Sequence, residues 1–313
     1  MNEQQPNWER EVLEKLAMSA IQEQRRTRHW GILFKTLGFL YLFIVLFLAA
    51  GWFGSDGVSI PKAHTALIDL QGVISSDEAS ADSVIGSLQG AFEDKKTKGV
   101  ILRINSPGGS PVQAGQIYDE IKRLRALHPN IPLYAVVDDI CASGGYYVAA
   151  GADKIFVDKA SLVGSIGVLM DGFGFTHTME KLGVERRLLT AGENKGFLDP
   201  FSPVDPRQQA FAKQMLEEIH GQFIAVVREG RGKRLKETPE MFSGLVWSGE
   251  KSIQLGLSDG LGTVESVARD VVKAEDIVDY TQHEGLAERL VGRLGVTLGK
   301  AWAPFEKSGL VLR

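Results

Sequence analysis

A serine in this chain stands where a strand-like run turns sharply into a helix-like one. Residues 133–137, Leu133-Tyr134-Ala135-Val136-Val137, read as a strand, and Gly144-Gly145-Tyr146-Tyr147-Val148-Ala149-Ala150 reads as a closely packed helix. Ser143 precedes the two glycines, which let a ligand approach the backbone with no Cβ in the way. Such a turn exposes a hydroxyl beside N–H groups that no helical carbonyl can satisfy, the apparatus for nucleophilic attack on a carbonyl. A second glycine turn, Asn105-Ser106-Pro107-Gly108-Gly109-Ser110-Pro111, follows a strand expected over 99–104. By itself it is a tight turn. On the neighbouring strand–helix unit to Ser143 it can aim N–H groups of Gly108 and Gly109 at the same point as that of Gly144. Donors converging on a developing oxyanion are worth roughly 3–4 kcal/mol in the transition state.

A serine nucleophile needs a base, and the residues alone leave three candidates: His64, His177 and Lys195. Lys195 stands in Thr190-Ala-Gly-Glu-Asn-Lys195-Gly196-Phe-Leu-Asp-Pro200, a loop following a strand expected over 185–189. A solvated lysine is neutral in only about one molecule in 2,500 at pH 7, so a lysine base requires desolvation. Cys141, the sole cysteine, lies two residues before Ser143 and reads as a small buried filler rather than a rival nucleophile.

Several function classes are excluded. One cysteine rules out an internal disulfide framework and a cysteine zinc site, and the six histidines are too scattered for a metal pair. A net charge of −4 over 313 residues gives no basis for nucleic-acid binding. The run Gly244-Leu-Val-Trp-Ser-Gly249-Glu250-Lys251 has one residue too many before its lysine to cradle a phosphate. No cofactor is implied.

The elements that must position these residues follow in order. Residues 1–29 form an expected N-terminal segment carrying a short amphipathic helix and ending in Arg25, Arg26, Arg28 and His29. From Thr36 to Ser55 there is no charge, long enough to cross a bilayer as a helix, with Trp30, Trp52 and Phe53 at interfacial positions. A cleaved signal would need an unusually long leader of about 30 residues, and a core helix would show a polar face. A transmembrane anchor over 30–53 is therefore expected, its arginines holding the N-terminus in the cytoplasm, followed by a linker over 54–62.

Beyond it, strands expected over 65–70, 99–104, 133–137 and 154–157 alternate with helices over 83–93 and 112–127. Ser110 and Pro111 are placed to start the second of these helices. Alternating apolar and small residues follow over 161–170. A long helix is expected over 205–229, capped by Asp205 with Pro206 at its start, then a basic turn over 230–234 and helices over 248–255 and 264–273. This order predicts an α/β domain with a largely parallel sheet. The tail over 276–313 is amphipathic from Leu286 and is expected to pack within the fold.

Five motifs in sequence carry a resemblance: Asn105-Ser-Pro-Gly-Gly109, Ala142-Ser143-Gly-Gly-Tyr-Tyr147, Ala152-Asp153-Lys154-Ile155, Gly164-Ser165-Ile166-Gly167-Val168, and Lys195. The chain resembles the short, single-copy form of the signal peptide peptidase A family, membrane-anchored serine peptidases of the Clp protease/crotonase superfamily. The resemblance implies a repeated ββα domain over 63–275. It implies Ser143 as nucleophile, Lys195, 52 residues downstream, as general base, and Ser165 as the residue orienting that lysine. It also implies Gly108, Gly109 and Gly144 as oxyanion donors. Implied too are remnant signal peptides as substrates, a homo-oligomer sharing residues between sites, and a single-pass protein of the bacterial inner membrane with its catalytic domain extracytoplasmic. The rival readings are a crotonase-like acyl-CoA enzyme and a catalytically inactive membrane scaffold.

Overall fold

The computed structural model describes residues 8–49 and 63–282, so Trp52, Phe53, the linker and the tail from Leu286 lie outside the described residues. The chain divides into two units, 1–59 with 284–313, and 60–283. In the first, α1 (Trp8–Ala49) is one continuous helix of 42 residues, where a short amphipathic helix and a separate span were expected. The connecting residues, Gln22-Glu-Gln-Arg-Arg, are good helix formers and carry no breaker, so the two helices merge. At 1.5 Å per residue α1 is about 63 Å long, roughly twice the thickness of a hydrocarbon core. The Thr36 hydroxyl donates to the Ile32 carbonyl at 2.7 Å, satisfying within the helix the donor that lipid could not.

The second unit is a mostly parallel sheet in the order β6-β5-β3-β2-β1-β8, with β4 on β3 and β7 on β4. Its central strands are β1 (His64–Gln71), β2 (Thr97–Ser106) and β3 (Leu133–Ala142). Alternation decides their two faces. Ala66, Ile68, Leu70, Val100, Leu102, Ile104, Leu133, Ala135 and Val137 belong to the main core, while Leu67, Ile101 and Val136 belong to a smaller cluster on the other face. The main core is roofed by α2 (Ala81–Glu93), α3 (Pro111–Leu127) and α4 (Gly144–Ala149). Ser110 caps α3 from Pro111 onward, accepting from the Gln113 N–H, as expected. The smaller cluster is covered by α8 (Val264–Val267) and a following π turn, Ala268–Val272.

Strand β3 runs five residues beyond the expected 133–137, because it changes neighbours on the way. Residues 134–136 pair with β4 (Lys154–Val157), while Ile140, Cys141 and Ala142 pair with β5 (Leu162–Gly164). The 161–170 run thus supplies a three-residue strand and then leaves the sheet. β5 continues antiparallel to β6 (Val246–Ser248). A short helix, α5 (Thr176–Leu182), follows. The strand expected over 185–189 is not formed: those residues find no sheet partner among the described residues, and Leu189 is 95% exposed. A strand-like run makes a strand only where a sheet edge accepts it.

The long helix is α6 (Pro206–Arg231), capped by Asp205. It runs two residues into the expected basic turn, whose remainder, Gly232–Arg234, is a 3₁₀ turn, and its last residue, Arg231, is wholly buried. Arg231 donates to the Gly256 carbonyl and to Asp259, both at 2.8 Å. Asp259 also accepts the Ile155 N–H at 2.7 Å and Arg234 at 3.1 Å. The chain then forms α7 (Gly249–Gln254), β7 (Gly260–Leu261) and, after α8, β8 (Ile277–Asp279).

Candidate active site

Ser143 sits on the corner between β3 and α4 with φ 51° and ψ −123°, a conformation that costs a non-glycine residue about 1–3 kcal/mol. The surroundings hold it there. Its N–H donates to the Gly164 carbonyl at 2.9 Å, and its own carbonyl accepts from the Tyr147 N–H at 3.0 Å. Below it, the buried Tyr146 hydroxyl donates to the Leu257 carbonyl at 2.7 Å. Cys141 is fully buried and desolvation pushes its thiol up. It is therefore neither exposed nor ionised, as a filler should be.

The Gly108-Gly109 turn lies directly against this corner. Both glycines have positive φ, 103° and 149°. A Cβ on Gly108 would lie 2.7 Å from both the Gly144 nitrogen and the Ser143 Cβ, and one on Gly109 would lie 2.2 Å from the Ile74 carbonyl oxygen. Only glycine fits either place. Two hydrogen bonds clamp the turn to Ile74: Ile74 N–H to Gly108 O and Ser110 N–H to Ile74 O, both 2.8 Å. The Gly108 N–H is engaged by the Ser106 hydroxyl at 3.1 Å, whereas those of Gly109 and Gly144 have no acceptor among the described residues. A Cβ on Gly144 would stand 3.3 Å from the Gly109 nitrogen, so these two donors are neighbours.

Ser143, Gly144, Gly109 and Ser165 line one cavity of about 580 Å³. Ser165 follows β5 at φ 50° and donates its N–H to the Leu245 carbonyl at 2.8 Å. Tyr147 and Phe223, rings 5.1 Å apart, form an apolar wall. Sequence reasoning missed Phe223 and also Ser106, whose fully buried hydroxyl braces the glycine turn. A serine two residues before Gly108 was visible, but nothing in the sequence distinguished it from an ordinary strand end.

The three candidate bases fall in different places. His64 begins β1, and because β1, β2 and β3 are parallel it lies at the opposite edge of the sheet from Ser143, about 25–30 Å along the strands. It stacks on Tyr280 and contacts that hydroxyl at 3.1 Å. His177 is exposed and faces Glu180 at 3.3 Å. Lys195 is exposed in a turn whose N–H bonds back to the Gly192 carbonyl, and it is not among the residues that line the cavity. The chain by itself thus brings together Ser143, two free amide donors and Ser165.

The site can now be set beside known proteins. Residues 125–278 match the model for peptidase family S49, and residues 63–160 match that for Clp protease. The chain is 43% identical over 224 residues to the Na(+)/H(+) antiporter NhaA of Brucella melitensis, covering 70% of this chain but only 30% of that one. It therefore spans less than a third of that relative, and the transport named there is not carried over. A Synechocystis sp. protein named "putative protease" is 30% identical over 264 residues, 79% of this chain and 93% of its own length. The chloroplastic serine protease SPPA of Arabidopsis thaliana is 29% identical over 212 residues, 67% of this chain and 31% of its own. Matches to both family models, near-complete coverage of the Synechocystis protein and a parallel sheet ending in this serine turn have one meaning. The chain belongs to peptidase family S49, of the signal peptide peptidase A type, within the Clp protease/crotonase superfamily.

Proposed function

We propose that this chain is a membrane-anchored serine endopeptidase that cleaves signal peptides left in the membrane, with Ser143 as nucleophile and Lys195 as general base. The observation that carries the reading is Ser143 beside the free N–H groups of Gly109 and Gly144 on one cavity. In the reaction the amine of Lys195 takes the Ser143 proton as Oγ bonds to the substrate carbonyl carbon. The resulting oxyanion is received by Gly109 and Gly144. Collapse breaks the C–N bond, the proton passes to the leaving amine, and water attacking the acyl-enzyme frees the serine. Ser165, on the cavity wall, orients the lysine.

The base reaches the site from a neighbouring subunit. Lys195 is exposed in the single chain, and the segment around it turns apolar side chains outward: Leu189 is 95% exposed, Leu169 80% and Phe173 79%. Apolar surface on this scale marks an interface, and covering it would desolvate the lysine as its role requires. Helix α1 supplies the anchor, with its N-terminal half and the mid-helix Arg25, Arg26 and Arg28 on the cytoplasmic side and the 63–275 domain on the far side of the bacterial inner membrane. Residues 54–62 serve as linker, and because β8 pairs with β1 the tail begins beyond that strand rather than at the expected 276.

The test is a fluorogenic peptide with small apolar residues at the cleavage point, together with labelling by a fluorophosphonate. Wild type is expected to do both and Ser143→Ala neither. A wild type that does neither supports the scaffold reading, and turnover of acyl-CoA thioesters that survives Ser143→Ala supports the crotonase-like one.

A further inference from the structure

One side chain beside the cavity has no part in the chemistry above. His220, on α6, has its Nε2 3.2 Å from the Ile166 carbonyl oxygen. A carbonyl only accepts, so Nε2 must carry a hydrogen and donate. We propose that His220 is a positioning residue that presents the Gly167 N–H to the backbone of a bound peptide, an inference that rests on the peptidase reading.

The Ile166 carbonyl and the Gly167 N–H share a planar trans unit and point in opposite directions, and no cis peptide occurs among the described residues. Holding the carbonyl toward α6 therefore turns the Gly167 N–H away from α6. That N–H has no acceptor among the described residues, and Gly167 lines the cavity. The segment needs such a brace. It leaves β5 through the strained Ser165, and beyond the Ser165 N–H the His220 bond is the one hydrogen bond found on the backbone of Ile166 to Leu169. The helix supplying the brace is itself fixed, since Phe223 and Val227 are buried and a Cβ on Gly230 would lie 2.0 Å from the Ala150 carbonyl oxygen. A backbone N–H held toward a cavity is a donor that a carbonyl of a bound peptide can meet.

Steady-state kinetics on the full chain in detergent micelles test this. His220→Leu should raise KM for the fluorogenic peptide about tenfold, a lost hydrogen bond's worth, with kcat within about twofold. Its rate of fluorophosphonate labelling should match wild type, because that small reagent needs Ser143 and the oxyanion donors but no peptide backbone contact. His220→Gln, which keeps an N–H donor, should bring KM back to within about threefold. An unchanged KM in His220→Leu overturns the proposal. So does a parallel fall in kcat and labelling, which means general distortion, and so does a Gln variant no better than Leu. A wild-type chain that neither cleaves nor labels removes the peptidase reading, and this inference with it.

Discussion

Two parts of the same domain stand in contrast. Around Ser143 every constraint is met within the chain: a strained serine bonded at both backbone ends, a glycine turn clamped twice to Ile74, and a floor of buried Tyr146 and Cys141. Between Val168 and Val204 almost nothing is met. No residue there is buried, the large apolar side chains face outward, and the one helix, α5, buries no side chain. The first region is finished by folding; the second has the character of a surface waiting for a partner. The division also separates the proposed chemistry, since the proposed nucleophile and oxyanion donors are in the finished part and the proposed base is in the other.

The largest effect should come from separating the two halves of the dyad on different chains. Ser143→Ala and Lys195→Ala should each lose about 10⁴-fold in kcat/KM. Mixed after dissociation and reassembled at equal concentration, the two dead variants should regain activity at up to about a quarter of the sites, where an intact serine meets an intact lysine from a neighbour. Peptidase assay of the mixture, with sedimentation to verify the assembly, checks this. If mixing restores nothing while the assembly is intact, the site is completed inside one chain and the contrast drawn above is broken.

A second test acts on the finished part alone. Asp259→Asn leaves the buried Arg231 guanidinium without its counter-charge, and breaking a buried pair in this way costs about 3–5 kcal/mol. Denaturant midpoints should fall accordingly, while proteolytic nicking in the exposed 168–204 segment should stay at the wild-type rate. The pH dependence has a definite sign. Burial alone would raise the Asp259 carboxyl, but hydrogen bonds and charge from Arg231, with the Ile155 N–H and Arg234, hold it below the ordinary carboxylate range. A depressed folded value means the stabilisation is present above about pH 4 and is lost as pH falls through the folded value. Wild type should lose stability there, and Asp259→Asn should lack that part of the acid limb.

The same contrast explains what could be read from the sequence. The β–α order and the Ser110-Pro111 and Asp205-Pro206 helix starts are local or nearest-neighbour properties and appear where expected; the two glycine turns also meet, but the Gly108 N–H, expected among the donors, is taken by Ser106. Arg231 falls in the expected basic turn, and its burial was not legible there because its partner Asp259 is 28 residues away and burial is a property of the fold. The strand expected over 133–137 stops before Asp138 and Asp139, yet β3 continues through them because β5 takes over the pairing. Residues 185–189 show the reverse failure, a strand pattern with no edge to join. The choice of Lys195 over a histidine was never legible in local pattern. It came from family resemblance, and the folded chain leaves that lysine in the open.

The smallest effect asks what holds the oxyanion turn. Ser110 has two roles: its hydroxyl caps α3 through the Gln113 N–H at 3.4 Å, and its backbone N–H is one of the two clamps on Ile74. Ser110→Ala removes the first and keeps the second. Loss of a cap of this kind costs about 1 kcal/mol, or roughly 2–4 °C in melting temperature for a domain of this size. Because the clamp survives, the Gly109 N–H should keep its aim and kcat should stay within about twofold of wild type. A fall of a hundredfold or more, the cost of losing an oxyanion donor, would show instead that the turn is held by the helix behind it. The nucleophile region would then be less self-sufficient than its backbone clamps imply.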